Sequence, residues 1–159
     1  MQDLQLLLTV LAALGSAVMA GVFFVFSVMV MPALGRLEPI DGVAAMQRIN
    51  EVALRPPFLA SFFLSTALCL GGVVLSIVRW SSPGSAWLLG GGLMFLFGVF
   101  LVTAAGNVPL NEELARWTGT AADAADLWDR YLSSWTRWNH LRAAAGLASA
   151  AMLLAAFPQ

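Results

Sequence analysis

The residues best suited to chemistry lie near the end of the chain: Trp128, Tyr131, Trp135, Trp138 and Arg142, spaced +3, +4, +3, +4. On a helix that spacing forms one stripe, with Arg142 last. Asn139 flanks the stripe, one turn from both Trp135 and Arg142, and two more carboxamides, Asn107 and Asn111, precede it. Two readings are open. One is a pocket with planar aromatic walls and a guanidinium at its base, fit for a flat oxygenated aromatic whose phenolate or carbonyl oxygen pairs with the arginine. The other is an interfacial aromatic belt with a snorkelling arginine. An arginine held in a membrane helix usually faces an interior site or a partner, which argues for the pocket.

His140 is the single histidine and lies off the stripe. A protein-only zinc site needs three or four ligands, so no metal centre is expected. General base, haem axial ligand and solvated imidazole all remain open for it. Glu112 and Glu113 are alternative bases, or acids that favour a helix start. Cys69 is the lone cysteine; it can form no disulfide within the chain and reads as a small apolar filler. Met19, Met29, Met31 and Met46 read as core fillers too. No P-loop, dinucleotide fingerprint, HExxH motif or nucleophile elbow is present, and Gly90–Gly92 lies inside an apolar helix.

The elements that must position these residues are apolar helices. No Asp, Glu, Lys or Arg lies between Asp3 and Arg36, Arg55 and Arg79, Arg79 and Glu112, or after Arg142. The 159 residues are 60% hydrophobic and 11% charged, with mean hydropathy +0.82; a soluble domain carries about 25% charged residues. A helix needs about 20 apolar residues to cross a bilayer. Only helices and closed barrels satisfy their own backbone there, and these runs lack a barrel strand's alternation. The expectation is an all-α integral membrane protein, a four-helix bundle in one domain over residues 1–159, with two longer polar connections on one side. Net charge −1 and pI near 5.7 argue against nucleic acid.

Helix one is expected over 4–30, stopped by Pro32. A short amphipathic helix follows over 43–54, capped by Asp41 and ended by Pro56-Pro57. Helix two is expected over 58–78 and helix three over 86–106. A short helix from Val108-Pro109 to Trp117 follows, then a long one capped by Asp123 and ending near Phe157. The start of the chain resembles a signal peptide, but it has no basic residue and its apolar run passes the candidate cut after Ala20, so it is read as a retained crossing.

Arg36, Arg48 and Arg55 lie in the first connection, and Arg116, Arg130, Arg137 and Arg142 in or beside the second; Arg79 stands alone at the turn between helices two and three. The positive-inside rule then puts the polar connections in the cytoplasm and both termini outside, in a bacterial inner membrane. Met31-Pro32-Ala33-Leu34 follows helix one much as Val108-Pro109-Leu110-Asn111 follows helix three, and Arg48-Ile49-Asn50 parallels Arg137-Trp138-Asn139. A parallel internal repeat would give this pattern, as would coincidence. Small residues such as Ala17 and Gly21 allow close helix packing and self-association into a homo-oligomer.

Asn107-x-Pro109-Leu110-Asn111, followed by Trp135-x-x-Trp138-Asn139-x-x-Arg142, resembles the anthrone oxygenase-like family of small four-helix membrane proteins. Phe26-Ser27-x-x-x-Met31-Pro32-Ala33-Leu34 and Met46-Gln47-x-Ile49-Asn50 resemble its first half, so the likeness spans nearly the whole chain. The resemblance implies motif positions at Asn107, Asn111, Trp135, Asn139 and Arg142. It also implies oxidation of an anthrone methylene by O2 as co-substrate, with no cofactor. The partners expected are a hydrophobic small molecule and the lipid bilayer. Arg142 with Asn107, Asn111 or Asn139 would stabilise an oxyanion, and Tyr131, Trp128, Trp135 and Trp138 would wall the ligand. His140 or Glu112 would be the base. The rival reading is a non-catalytic binder of lipophilic molecules or a subunit of a larger complex.

Overall fold

A computed structural model describes residues 2–157, and among them every regular element is helical. The first rod comprises α1 (Gln2–Val25), a π-helical turn (Phe26–Val30) and α2 (Met31–Leu34). Pro32 does not end it, contrary to expectation. Proline lacks an N–H and its ring crowds the carbonyl four residues back. The π turn absorbs one extra residue just ahead of it, and the Met31 N–H reaches back five residues to the Phe26 carbonyl.

The same solution recurs in the third rod. There α5 (Ser85–Phe95) passes through π-helical segments Leu96–Leu101 and Thr103–Asn107 into α6 (Val108–Arg116). The Val108 N–H bonds to the Thr103 carbonyl, five residues back, just before Pro109. The break expected at Gly106 is therefore absent: helix three and the short helix after it are one rod.

Between the rods, α3 (Pro39–Ala53) begins at Pro39, where the fixed φ suits a first helical residue; Asp41 lies in its first turn rather than at its cap. Pro56-Pro57 opens α4 (Pro56–Val78) for the same reason, and the extended Arg55 ahead of it closes α3 as expected. The turn into α5 uses Gly84 at φ 81°, a conformation that favours glycine. The last helix, α7 (Ala121–Ala155), is capped by Thr120 and not by Asp123. Asp123 sits one turn in, and its Oδ2 accepts from the Thr120 N–H (3.4 Å) and hydroxyl (2.9 Å).

α1 packs along α4 and α7, and α5 packs on the same two helices. At mid-height Ser16 of α1 lies 3.6 Å from Cys69 Sγ of α4 and 3.2 Å from Ser149 Oγ of α7, while Ser149 donates to the Gly91 carbonyl of α5 (2.8 Å). These hydroxyls join all four helices where no water reaches. Met19, Phe23, Phe62, Phe95 and Leu153 fill the core around them. At the polar end α3 and α6 fold over the first half of α7, enclosing Met46, Leu114, Trp128, Tyr131 and Trp135.

The outer face is apolar: Leu14, Phe24, Phe63, Ile77, Phe97 and Leu147 are all exposed. A belt of this kind marks a surface that meets something other than water. Gln5–Leu34, Pro56–Val78 and Ser85–Arg116 are each long and apolar enough to cross a membrane, as in an integral membrane protein.

Candidate functional site

Arg142 is only 6% exposed and points into the protein. Its Cζ stands 4.2 Å from the Phe23 ring centroid and 5.2 Å from that of Trp135. Its NH2 donates to Asn139 Oδ1 at 2.7 Å and its NH1 to Thr103 Oγ1 at 3.3 Å. The Thr103 hydroxyl spends its own hydrogen on the Val99 carbonyl (2.7 Å), leaving lone pairs for the arginine. Nε is buried without a partner, and among the described residues no acid pairs with the guanidinium.

Asn139 holds the arginine in place. It is fully buried, and its Nδ2 donates to the Phe23 carbonyl (2.6 Å) and to Ser27 Oγ (2.7 Å). Asn107, 1% exposed, donates from Nδ2 to the Trp135 carbonyl (3.2 Å), and its Oδ1 has no partner. Asn111 Oδ1 accepts from both the Tyr131 hydroxyl and the Trp135 indole, each at 2.8 Å. Trp128, Tyr131 and Trp135 stack in sequence, with centroids 5.7 Å and 6.3 Å apart and planes 10° and 23° from parallel. Burial pushes the Tyr131 phenol above its ordinary pKa, so it remains a donor at neutral pH.

The two π-helical regions converge here. Ser27 comes from the first and Thr103 and Asn107 from the second, while Asn139, Arg142 and Trp135 face them from α7. Such turns re-aim side chains that a regular helix would point elsewhere.

Arg142, Asn139, Asn107, Asn111, Trp135, Tyr131 and Trp128 thus come together. Trp138 and His140 do not. Trp138 is 43% exposed and covers Gly106 from outside, and His140 is exposed one residue beyond the buried Asn139. Along a helix either Trp138 or Asn139 can follow Trp135 on the inner face, and packing turns Asn139 inward. The other candidate bases, Glu112 and Glu113, are exposed, with Glu112 lying 3.6 Å from Arg116. Phe23, Ser27 and Thr103 were not singled out as site residues. Thr103 is the one hydroxyl between Ser85 and Asn107, one turn before Asn107, which is a usable signal.

A guanidinium drawn from water among neutral partners is costly, and its attraction for a negative oxygen is little screened there. Phe23 and Trp135 offset part of that cost through their ring faces, but neither they nor the amides supply a counter-charge. The arrangement can receive an oxyanion, with the Asn107 carbonyl oxygen open to a donor.

A family model described as anthrone oxygenase matches residues 53–152, which include Thr103, Asn107, Asn111, Trp135, Asn139 and Arg142. No curated protein and no solved structure matches the chain. With well over half of its length matched, and on the very segment that supplies the buried arginine and its carboxamides, this chain belongs to the anthrone oxygenase family.

Proposed function

We propose that this protein is a four-crossing membrane bundle that takes a planar, lipophilic anthrone- or quinone-type molecule from the bilayer. It holds the molecule as an oxyanion at Arg142 and lets it react with O2 without a cofactor. The observation that carries this reading is Arg142 itself, buried between two aromatic rings with no acidic partner among the described residues. The second half of α7 is taken as the fourth crossing. The paired π turns ahead of Pro32 and Pro109 favour a parallel repeat of two halves.

An anthrone loses a methylene proton to give an aromatic phenolate, because the charge moves onto the oxygen across the ring. Arg142 stabilises that oxygen and so lowers the acidity barrier. The electron-rich carbon opposite then adds O2, forming a carbon–oxygen bond and reducing the oxygen to a peroxide. Taking up one proton and losing water leaves a second carbonyl. One anthrone and one O2 thus yield one anthraquinone and one water. Asn107 Oδ1 is free to orient a hydroxyl of the bound molecule. Glu112 and His140 are exposed, so they can take up the proton only after it has left the interior.

Oxygen uptake by the purified protein with a simple anthrone tests this. Wild-type protein should consume O2. Arg142→Ala should lower kcat/KM by about 100-fold, the scale of a lost oxyanion donor, and Trp135→Ala by about tenfold. Equal rates for all three would reject the site. The rival reading, a binder that transforms nothing, draws on the absence of a carboxylate or imidazole beside Arg142 among the described residues. Tight anthrone binding without O2 uptake would select it.

A further inference from the structure

The ring that carries the Arg142 guanidinium, Phe23, belongs to the same packed core as Phe62 and Val99, with Phe58 and Phe100 packed against it. Phe100 also follows Val99, whose carbonyl holds the Thr103 hydroxyl that Arg142 contacts. The first turns of α4 and the π-helical segment Leu96–Leu101 thus set a wall of phenylalanines at the level of the arginine. Phe58 and Phe62 stack at 6.3 Å and 19°, and Phe62 and Phe100 at 6.0 Å and 23°. Phe63 meets Phe62 and Phe100 edge-on at 5.6 Å and 6.5 Å. Exposure falls inward along this group: Phe63 is 55% exposed, Phe58 and Phe100 are half-buried, and Phe62 is 6% exposed.

We propose that Phe58, Phe62 and Phe100 form a ring-binding subsite, entered from the bilayer beside Phe63. It receives the unoxygenated rings of the planar ligand whose oxyanion Arg142 holds. The inference rests on the Arg142 reading given above. Near-parallel ring pairs are the geometry a flat aromatic can join, exchanging a phenylalanine–phenylalanine contact for a phenylalanine–ligand contact of similar strength. Helix three leaves regular α geometry along this segment, and Phe100 on it faces Phe62 and Phe63 of α4. The phenylalanine rings offer no hydrogen bond. A hydroxyl placed among them would lose its water without replacement, whereas the opposite end of the site offers Arg142 and Asn107. The subsite therefore selects molecules oxygenated on one edge and bare on the other, and it ties selectivity to ring count.

The test is equilibrium binding to purified protein in detergent without O2, read by quenching of tryptophan fluorescence. The probes are a three-ring phenol with one hydroxyl, the same skeleton with hydroxyls at both ends, and single-ring phenol. Phe62→Leu and Phe100→Leu should each weaken the three-ring phenol by about tenfold and single-ring phenol by less than about twofold. Wild-type protein should prefer the singly hydroxylated three-ring probe to the doubly hydroxylated one by about tenfold or more. Phe62→Met keeps the bulk of the side chain, and thermal unfolding of every variant separates loss of fold from loss of binding. Three-ring binding that does not change in the folded leucine variants, or that weakens no more than single-ring binding, overturns the subsite. Loss of affinity in Arg142→Gln but not in the phenylalanine variants overturns the subsite alone. Binding that depends on the phenylalanines, with no O2 uptake in air, keeps the subsite and removes the oxygenase. No binding of any probe removes both.

Discussion

Arg142 and Asn139 differ in what each gives the protein, although they share a hydrogen bond of 2.7 Å. The guanidinium's desolvation costs several kcal/mol. Its two hydrogen bonds and two ring contacts return a similar amount, at about 1.5–3 and about 1–2 kcal/mol each. Arg142→Met removes both sides of that balance and leaves Asn139 Oδ1 unpaired, a loss of about 1–3 kcal/mol. The variant is expected to change stability by less than about 2 kcal/mol while weakening ligand binding by about 30-fold or more. Asn139→Leu works the other way: it leaves the Arg142 NH2 and Ser27 without their partner deep in the protein and should cost about 3–5 kcal/mol. Thermal unfolding in detergent beside binding titration measures both. If Arg142→Met were the more destabilising change, the arginine would be a structural strut and not a receptor for an anion.

The π turns are the elements that turn apolar rods into a site. Pro32 and Pro109 each follow such a turn, and Ser27, Thr103 and Asn107 are the side chains it swings inward. Pro32→Ala restores an N–H and lets the turn relax to α geometry, rotating the residues before it by about 100° relative to those after it. Stability should hold or rise, while ligand affinity falls by about tenfold as Ser27 leaves Asn139. An unfolding temperature that drops with affinity intact would show the proline to be structural instead. At the aqueous end a Cβ on Gly42 would meet the Trp128 ring at 2.5 Å, and that ring is held by its stack on Tyr131. Gly42→Ala should therefore loosen α3 at a cost of about 1–3 kcal/mol, seen as faster proteolysis within 39–53. Much of this layout was legible beforehand. Charge-free runs gave the apolar rods, and the aromatic spacing gave the inner face of α7. Proline misled at two places: Pro32 continues a rod expected to end at Val30, and Pro109 lies inside the third rod rather than at the start of a separate short helix. A break and a π turn look alike in sequence because both answer the same missing N–H. The choice of Asn139 over Trp138 was hidden as well, since helical phase allows either beside Trp135 and only packing decides, whereas the exposure of His140 agrees with its place off the stripe.

α7 has 35 residues, and at 1.5 Å per residue it is about 52 Å long against a hydrocarbon layer of about 30 Å. On the proposed four-crossing reading, about 20 of its residues lie in the membrane and the rest stand outside. Its first half carries Asp123, Asp126, Asp129, Arg130 and Arg137 and is covered by α3 and α6, whereas Leu141, Leu147 and Leu154 face outward along the second half. Arg142 then lies just inside the apolar layer, where a lipophilic molecule arriving sideways meets the first fixed charge. Arg36, Arg48, Arg55, Arg116 and Arg130 share that end of the molecule, and Arg79 marks the other. If the arginine-rich end is cytoplasmic, the turn at 79–85 faces outward. Single cysteines at two exposed positions test this in a Cys69→Ala background, since Cys69 itself is buried. Ser81→Cys should react with a membrane-impermeant maleimide in intact cells, and Ser133→Cys only after the cells are opened. The reverse pattern would put the Arg142 end outside and detach the arginine bias from topology, making those side chains part of the ligand machinery. Labelling of both positions from one side would remove the fourth crossing, and with it the enclosed interior that makes an unpaired guanidinium attractive to an anion.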